Sequence, residues 1–146
     1  MNVAVTGRGG QLASEFERLK GSDPNWIFLS ITDLDISDRE SVLNYFWNKN
    51  FDFIINCAAF TSVDMAEDEI DIAYKVNETG VVNLIEACKL INSKLVHYST
   101  DYVFDGKSSK PYHEKFKVNP KSVYGKSKLN GEICLIKEKK VKSIII

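Results

Sequence analysis

Val3-Ala4-Val5-Thr6-Gly7-Arg8-Gly9-Gly10-Gln11-Leu12-Ala13 is the stretch that decides the fold. A short apolar run enters a glycine cluster, and Gln11–Lys20 then reads as a helix, with Leu12, Phe16 and Leu19 at helical spacing. Glycine permits a tight turn and lets backbone N–H groups approach a pyrophosphate. The helix N-terminus adds partial positive charge at the same place. The spacing is Gly7-x-x-Gly10-x-x-Ala13, with alanine where a third glycine would allow the closest helix–strand packing. A strand, a glycine turn and a helix in this order point to a dinucleotide site. Arg8 reads either as a phosphate partner or as a solvent-facing side chain.

Outward from this turn the chain alternates short apolar runs with longer helical patterns. Trp26–Leu29, Phe53–Asn56, Lys94–Ser99 and Ser143–Ile146 read as further strands. Between them, Ser37 or Asp38 can cap a helix running to about Lys49, with Val42, Leu43, Phe46 and Trp47 on its apolar face. A helix is expected from about Ile70 to Ile91, carrying Ala73, Val76, Val81, Leu84, Ile85 and Cys88. Asp101–Pro120, with Gly106, Pro111 and Pro120, reads mostly as loop. Ser122 to about Lys139 reads as the last helix.

Apolar strands alternating with helices imply parallel pairing with both faces covered. The expected fold is α/β: a Rossmann-like, doubly wound parallel sheet of five strands, in the order 3-2-1-4-5 with right-handed crossovers. The final strand has no helix after it, so the sheet reads as cut, with a C-terminal substrate part missing.

The 146 residues suffice for one domain, residues 1–146, with a core that needs no disulfide or metal staple. Lys plus Arg number 19 and Asp plus Glu 20, a net charge of −1. No positive excess is available to track a phosphate backbone, which argues against nucleic acid. Cys57, Cys88 and Cys134 form no CxxC pair and no metal pattern with His97 or His113. They read as free thiols in a reducing, cytoplasmic setting. No apolar run is long enough to span a membrane, and the N-terminus lacks a signal-peptide pattern.

Tyr124-Gly125-Lys126-Ser127-Lys128 opens the last helix, and four-residue spacing puts Tyr124 and Lys128 on one face. An ammonium beside a phenol favours the phenolate, which makes the phenol a usable proton donor and acceptor near neutral pH. Such a pair is often incidental. It gains weight from Ser99-Thr100 at the end of the fourth strand, because ligands of open α/β sheets bind beyond the carboxyl ends of strands.

Together these elements resemble the extended branch of the short-chain dehydrogenase/reductase superfamily, and within it the dTDP-4-dehydrorhamnose reductase family. The resemblance is carried by Leu34-Asp35-Ile36-Ser37, by Asn56-Cys57-Ala58-Ala59-Phe60-Thr61-Ser62-Val63-Asp64 with Ala66-Glu67, and by Val76-Asn77. It continues in Ser99-Thr100-Asp101-Tyr102-Val103-Phe104-Asp105-Gly106 and in Tyr124 to Leu129 with Gly131-Glu132. The resemblance implies that Tyr124 donates a proton to a sugar C4 carbonyl. Lys128 would hold the nicotinamide ribose, and Thr100 would hydrogen-bond the carbonyl. Gly7, Arg8, Gly10, Gln11 and Leu12 would line the pyrophosphate side, Asp35 and Ile36 the adenine side. Ala58, Ala59 and Thr61 would pass beneath the cofactor. Thr61, Val63, Thr100 and Tyr102 would meet the substrate.

The implied activity is reduction of a dTDP-4-keto-6-deoxy sugar with NADPH, with NADH tolerated, and the implied partner is a nucleotide sugar. Family members are considerably longer than this chain. The last strand is therefore expected to pair with a C-terminal segment or with a second copy. Two other readings stay open: a non-catalytic module like the regulatory subunit of methionine adenosyltransferase, and a nucleotide-sugar epimerase or dehydratase. Tyr102 after Asp101, where a dehydratase would carry a second acid, favours a reductase. Outside the site, Asp64, Glu67 and Asp68 read as a solvated acidic face, Asp101 and Asp105 as turn residues, Asn77 as structural, and His97 as a packed core histidine. Lys137–Lys142 reads as the solvated end of a helix.

Overall fold

The computed structural model describes residues 1–146. Five strands, β1 (Val3–Thr6), β2 (Trp26–Leu29), β3 (Phe53–Asn56), β4 (Lys94–His97) and β5 (Ser143–Ile145), form one parallel sheet. The spatial order is β2-β1-β3-β4-β5. This corrects the expected 3-2-1-4-5: the third strand pairs directly with the first, Val3 opposite Phe53, and does not lie beyond the second. The exposure of the strands fits this outcome. Ile54, Ile55 and Asn56 are buried, whereas Ile27 of β2 is 40% exposed. The strand order follows burial and not apolarity, since the edge run Trp26–Leu29 is wholly apolar while the central run ends in Asn56. The order reverses between β1 and β3, and ligands bind doubly wound sheets beyond such a switch point.

Helices α1 (Gln11–Lys20), α2 (Arg39–Phe46), α3 (Val63–Asp68), α4 (Ile70–Tyr74), α5 (Gly80–Ile91) and α6 (Val123–Lys137) cover the sheet. One core layer joins β1, β3 and β4 to α2, α5 and α6 through Ala4, Ile54, Leu95, Phe46, Leu84 and Leu135. A smaller layer on the opposite face packs Val3, Val5 and Ile55 against Ala13 of α1, with Phe16, Trp26, Phe28 and Tyr98 around it. Phe46, Ile54 and Leu84 are fully enclosed. Truncating such a side chain to alanine costs about 2–5 kcal/mol, because the cavity relaxes only in part.

Several helices depart from the sequence reading. In α1 the buried residue is Ala13, while Leu12 and Leu19 are exposed, so the packed face is turned from the one expected. Asp38 caps α2, accepting from the Glu40 and Ser41 amides at 3.0 and 3.2 Å. That helix stops at Phe46, leaving Trp47 61% exposed rather than packed. The long helix from Ile70 begins as α4, passes through a π-helical turn at Lys75–Thr79 and continues as α5. The short helix α3 was not expected. Within the loop after β4, Asp101–Val103 forms a 3-10 turn. No helix is long and apolar enough to cross a membrane. At the sheet edge, Ile144 and Ile146 are 58% and 62% exposed, as expected for a strand without a cover.

Candidate active site

The turn after β1 is built on two left-handed glycines, Gly7 (φ +78°) and Gly9 (φ +93°). Gly7 lies against the segment after β3: a Cβ there would stand 2.6 Å from the Ala58 nitrogen and 2.7 Å from the Cys57 carbonyl carbon. Gly10 caps α1, and its amide donates to the Gly7 carbonyl at 3.0 Å. The first turn of α1 carries no acid, so its amides face outward without a competing charge.

This turn forms one wall of a cleft of about 640 Å³ at the switch point. Gly7, Arg8, Gly10, Gln11 and Leu12 come from the turn and α1, Asp35 and Ile36 from the loop after β2, and Ala58, Ala59 and Thr61 from the loop after β3. Every residue expected at the pyrophosphate, at the adenine or beneath the cofactor, apart from Tyr124 and Lys128, is therefore brought together here. The sequence reading missed Ile31, Leu34, Phe60, Ile72 and Val76, which supply much of the apolar lining. Ile31 is 73% exposed. An isoleucine within an otherwise polar loop was the signal for it. Val76 was assigned to a helix and its contact with the cleft comes from the π-helical turn, which no local pattern announces.

Arg8 is the only cation on the cleft wall and Asp35 the only acid. The half-exposed Arg8 guanidinium forks onto Glu17, with Nη2 2.7 Å from Oε1. Asp35 accepts from the Ser37 amide and hydroxyl at 2.9 and 2.7 Å. Asp33, in the turn after β2, likewise holds its own turn through the Ser30 hydroxyl and amide, which keep its carboxyl below the usual range. Cys57 borders the cleft, but burial pushes its thiol up to about 12, so it stays protonated.

Beneath the cleft a buried polar chain crosses the three central strands. Thr6 Oγ1 donates to Asn56 Oδ1 at 2.7 Å, and Asn56 Nδ2 lies 3.1 Å from His97 Nδ1. The amide must donate, so His97 Nδ1 accepts and Nε2 carries the proton; that Nε2 is buried without a partner. Burial first, then the Lys128 charge, push His97 down to about 3. It is a neutral core histidine, as expected. Asn56 Oδ1 also receives the Ala58 amide at 3.2 Å, which fixes the backbone that Gly7 touches.

The second half of the site is assembled by α6. Tyr124 is 9% exposed and Lys128 3%. Ser122 caps the helix through the Gly125 amide at 3.0 Å. Glu67 of α3 adds a second cap, accepting from the Val123 amide at 2.7 Å, which corrects its reading as part of a purely solvated face. Gly125 and Gly131 permit two close approaches. A Cβ at Gly125 would meet the Tyr102 carbonyl oxygen at 2.3 Å, and one at Gly131 would meet the Asn77 carbonyl oxygen at 2.4 Å. Asn77 is structural, as expected: it brackets Phe60, accepting from its amide and donating to its carbonyl, and also donates to Ser127.

Thr100 Oγ1 accepts from the Tyr102 amide at 3.2 Å, and its contact to Asp101 is long at 3.4 Å. The hydroxyl donates that long bond to Asp101 Oδ1, a weak hold that a better-placed acceptor would displace. The Tyr102 ring meets Tyr124 edge-on at 5.5 Å. Val63, the first residue of α3, packs against the cluster that holds Tyr124, and Thr61 stays exposed on the cleft rim. Lys128 Nζ donates to the Tyr98 carbonyl at 2.6 Å. Burial pushes this ammonium down to about 8, against an upward pull from Glu132.

This fold and cleft define a doubly wound, Rossmann-like α/β domain with a tyrosine–lysine helix beside its switch point. The chain belongs to the family described as RmlD substrate binding domain, whose model matches residues 1–146. It is 42% identical over 136 residues to a dTDP-4-dehydrorhamnose reductase of Aggregatibacter actinomycetemcomitans, covering 92% of this chain and 46% of that protein. The crystal structure of a dTDP-4-dehydrorhamnose reductase from Clostridium acetobutylicum superposes with a TM-score of 0.93 at 39% identity, covering 99% of this chain and 52% of that one. A dTDP-4-dehydrorhamnose reductase from Bacillus anthracis, solved in complex with NADP, gives 0.91 at 35% identity, covering 99% and 52%. The chain thus spans about half the length of the relatives it matches.

Proposed function

We propose that this chain is the cofactor-binding and proton-delivering half of a reductase of dTDP-4-keto-6-deoxy sugars. The observation that carries the reading is the gathering of the Gly7–Ala58 contact, the open α1 N-terminus and the buried Tyr124–Lys128 helix at the carboxyl ends of the central strands. The 640 Å³ cleft has the size of a cofactor site. Its cradle of glycine backbone suits a pyrophosphate. The Bacillus anthracis relative was solved with NADP, and Arg8, held at the rim by Glu17, suits a 2′-phosphate. NADPH is therefore the assigned cofactor, with NADH the weaker ligand.

When bound, the nicotinamide supplies a hydride. The chain's own residues do the rest. Thr100 exchanges its long bond to Asp101 for a hydrogen bond to the substrate carbonyl oxygen at C4 and keeps its proton. Tyr124 delivers the proton to that oxygen as the C–H bond forms. Lys128 holds the nicotinamide ribose and stabilises the tyrosinate left behind. Thr61, Val63 and Tyr102 border the sugar. The chain spans about half the length of its relatives, and the reading assigns to it the cofactor cleft and the proton-delivering helix.

The reading is tested by titrating the chain with NADPH and with NADH, following nicotinamide fluorescence. Saturable binding of NADPH, tighter than NADH and weakened in Arg8→Ala, is expected. No binding of either nucleotide contradicts the reading.

A further inference from the structure

Lys128 is 3% exposed, yet its ammonium has one hydrogen-bond acceptor, the Tyr98 carbonyl. An ammonium has three donors, and an unpaired buried charge tends to lose its proton. One turn further along α6, on the same face, stands Glu132. Its carboxylate is not loose: Ser99 Oγ donates to Glu132 Oε1, tying α6 to the segment just after β4. Ser99 is itself fixed, since its amide donates to the Ile146 carbonyl at 2.7 Å. The Tyr98 carbonyl that receives Lys128 belongs to the residue next to Ser99. A single short segment, Tyr98-Ser99, therefore holds both the ammonium and the carboxylate.

We propose that Glu132 is a positioning residue whose carboxylate, held by Ser99, keeps the buried Lys128 ammonium charged. The proposal deepens the reading of Lys128 as the ribose-holding residue and rests on it for its catalytic meaning. The ionisable groups around Lys128 leave no other candidate. His97 on β4 is neutral, held so by burial and by the Lys128 charge, and supplies no counter-charge. Tyr124 on α6 is the proton donor of the reaction. Of the acids on elements packed against α6, Glu67 is bonded to the Val123 amide, Glu78 to the Asn130 amide group and Glu86 to Arg39, while Asp64, Asp68, Asp71 and Asp101 are exposed to solvent. Glu132 alone pulls Lys128 toward the charged form.

The substitution Glu132→Gln separates charge from structure. Glutamine keeps an oxygen for the Ser99 hydroxyl and nearly the same volume, but removes the charge. The Lys128 titration is followed by NMR of the chain carrying 13C-labelled lysine, with Lys128→Met assigning the signal. An opposite charge one helical turn away, in a buried setting, is worth about one pH unit. The Lys128 midpoint is expected to move about one unit toward acid in Glu132→Gln, and by less in Ser99→Ala, where the carboxylate keeps its charge but loses its hold. Near the parent midpoint this leaves the ammonium about fivefold less populated. An unchanged midpoint in Glu132→Gln overturns the proposal. Should that variant fail to fold, Ser99→Ala decides alone: an acid shift supports the proposal and no shift overturns it. This readout needs no turnover. A chain that titrates as expected but binds no NADPH would contradict the proposed function and leave the Glu132–Lys128 coupling standing.

Discussion

Gly7 and Ala58 meet backbone to backbone, and a Cβ on Gly7 would stand 2.6 Å from the Ala58 nitrogen. Gly7 also has φ of +78°. Two independent constraints thus forbid a side chain where β1 and β3 leave the sheet.

Gly7→Ala should therefore cost stability on the order of 1–3 kcal/mol from backbone strain and displace the Ala58 backbone as well. NADPH affinity should fall by roughly tenfold or more. At Gly10 the only close atom is the Gly7 carbonyl oxygen, 3.1 Å from an added Cβ. Gly10→Ala should be the milder change, whereas the branched Gly10→Val should abolish binding while the fold survives. Urea unfolding and NADPH titration of the three variants check the order.

Lys128→Met should stabilise the protein and impair its function together. The folded ammonium titrates near 8, below its unfolded value of 10.5. Below pH 8 both states are protonated and the full penalty of burying the charge is present; it fades as pH rises toward 10.5. At pH 7, removing the charge should add on the order of 1–3 kcal/mol to unfolding stability. NADPH binding should weaken. A destabilised Lys128→Met would show that the ammonium is held more favourably than its single hydrogen bond indicates.

His97 sets an acid limit. Its folded value near 3 lies below the unfolded 6.5. Above pH 6.5 it has no effect. As pH falls from 6.5 toward 3, the unfolded chain takes up a proton that the folded one refuses, and stability drops by about 1.4 kcal/mol per pH unit. His97→Gln should flatten this part of the curve, read as the difference between variant and parent unfolding at pH 7.5 and 4.5.

The β5 edge should drive self-association of the isolated chain, because Ile144 and Ile146 are exposed beside unpaired backbone. Sedimentation should show mass rising with concentration. Ile144→Lys should return the chain toward a monomer, as a charge on an edge strand opposes pairing. A clean monomer for the parent would contradict this.

The parts of the fold that were legible in sequence are those with a local physical signal. The glycine turn, the run Phe53–Asn56 and the cap at Ser37 or Asp38 each declare themselves within a few residues. The strand order did not, because nothing within Trp26–Leu29 or Phe53–Asn56 states which one lies beside β1 on the inner side; relative burial decides it only after folding. The site was legible as two pieces, the turn and the Tyr124–Lys128 helix. What joins them was not. The bonds from Glu67 to Val123, Asn77 to Phe60 and Ser99 to Glu132 link residues 56, 17 and 33 positions apart. Side-chain bonds over such separations leave no periodicity to read. Asn77 could be guessed structural, but its clamp on Phe60 follows from the π-helical turn that aims it.

The central claim is that Tyr124 delivers the proton in reduction of a nucleotide-linked keto sugar. The direct measurement is turnover of a dTDP-4-keto-6-deoxy sugar by the chain joined to the second half of the Aggregatibacter relative, followed as NADPH oxidation. Tyr124→Phe keeps the ring and its contact with Tyr102 but removes the transferable proton. Turnover should fall by roughly 10²–10⁴-fold, the usual worth of general acid catalysis, with NADPH affinity unchanged. A Tyr124→Phe protein that oxidises NADPH as fast as its parent would contradict the account.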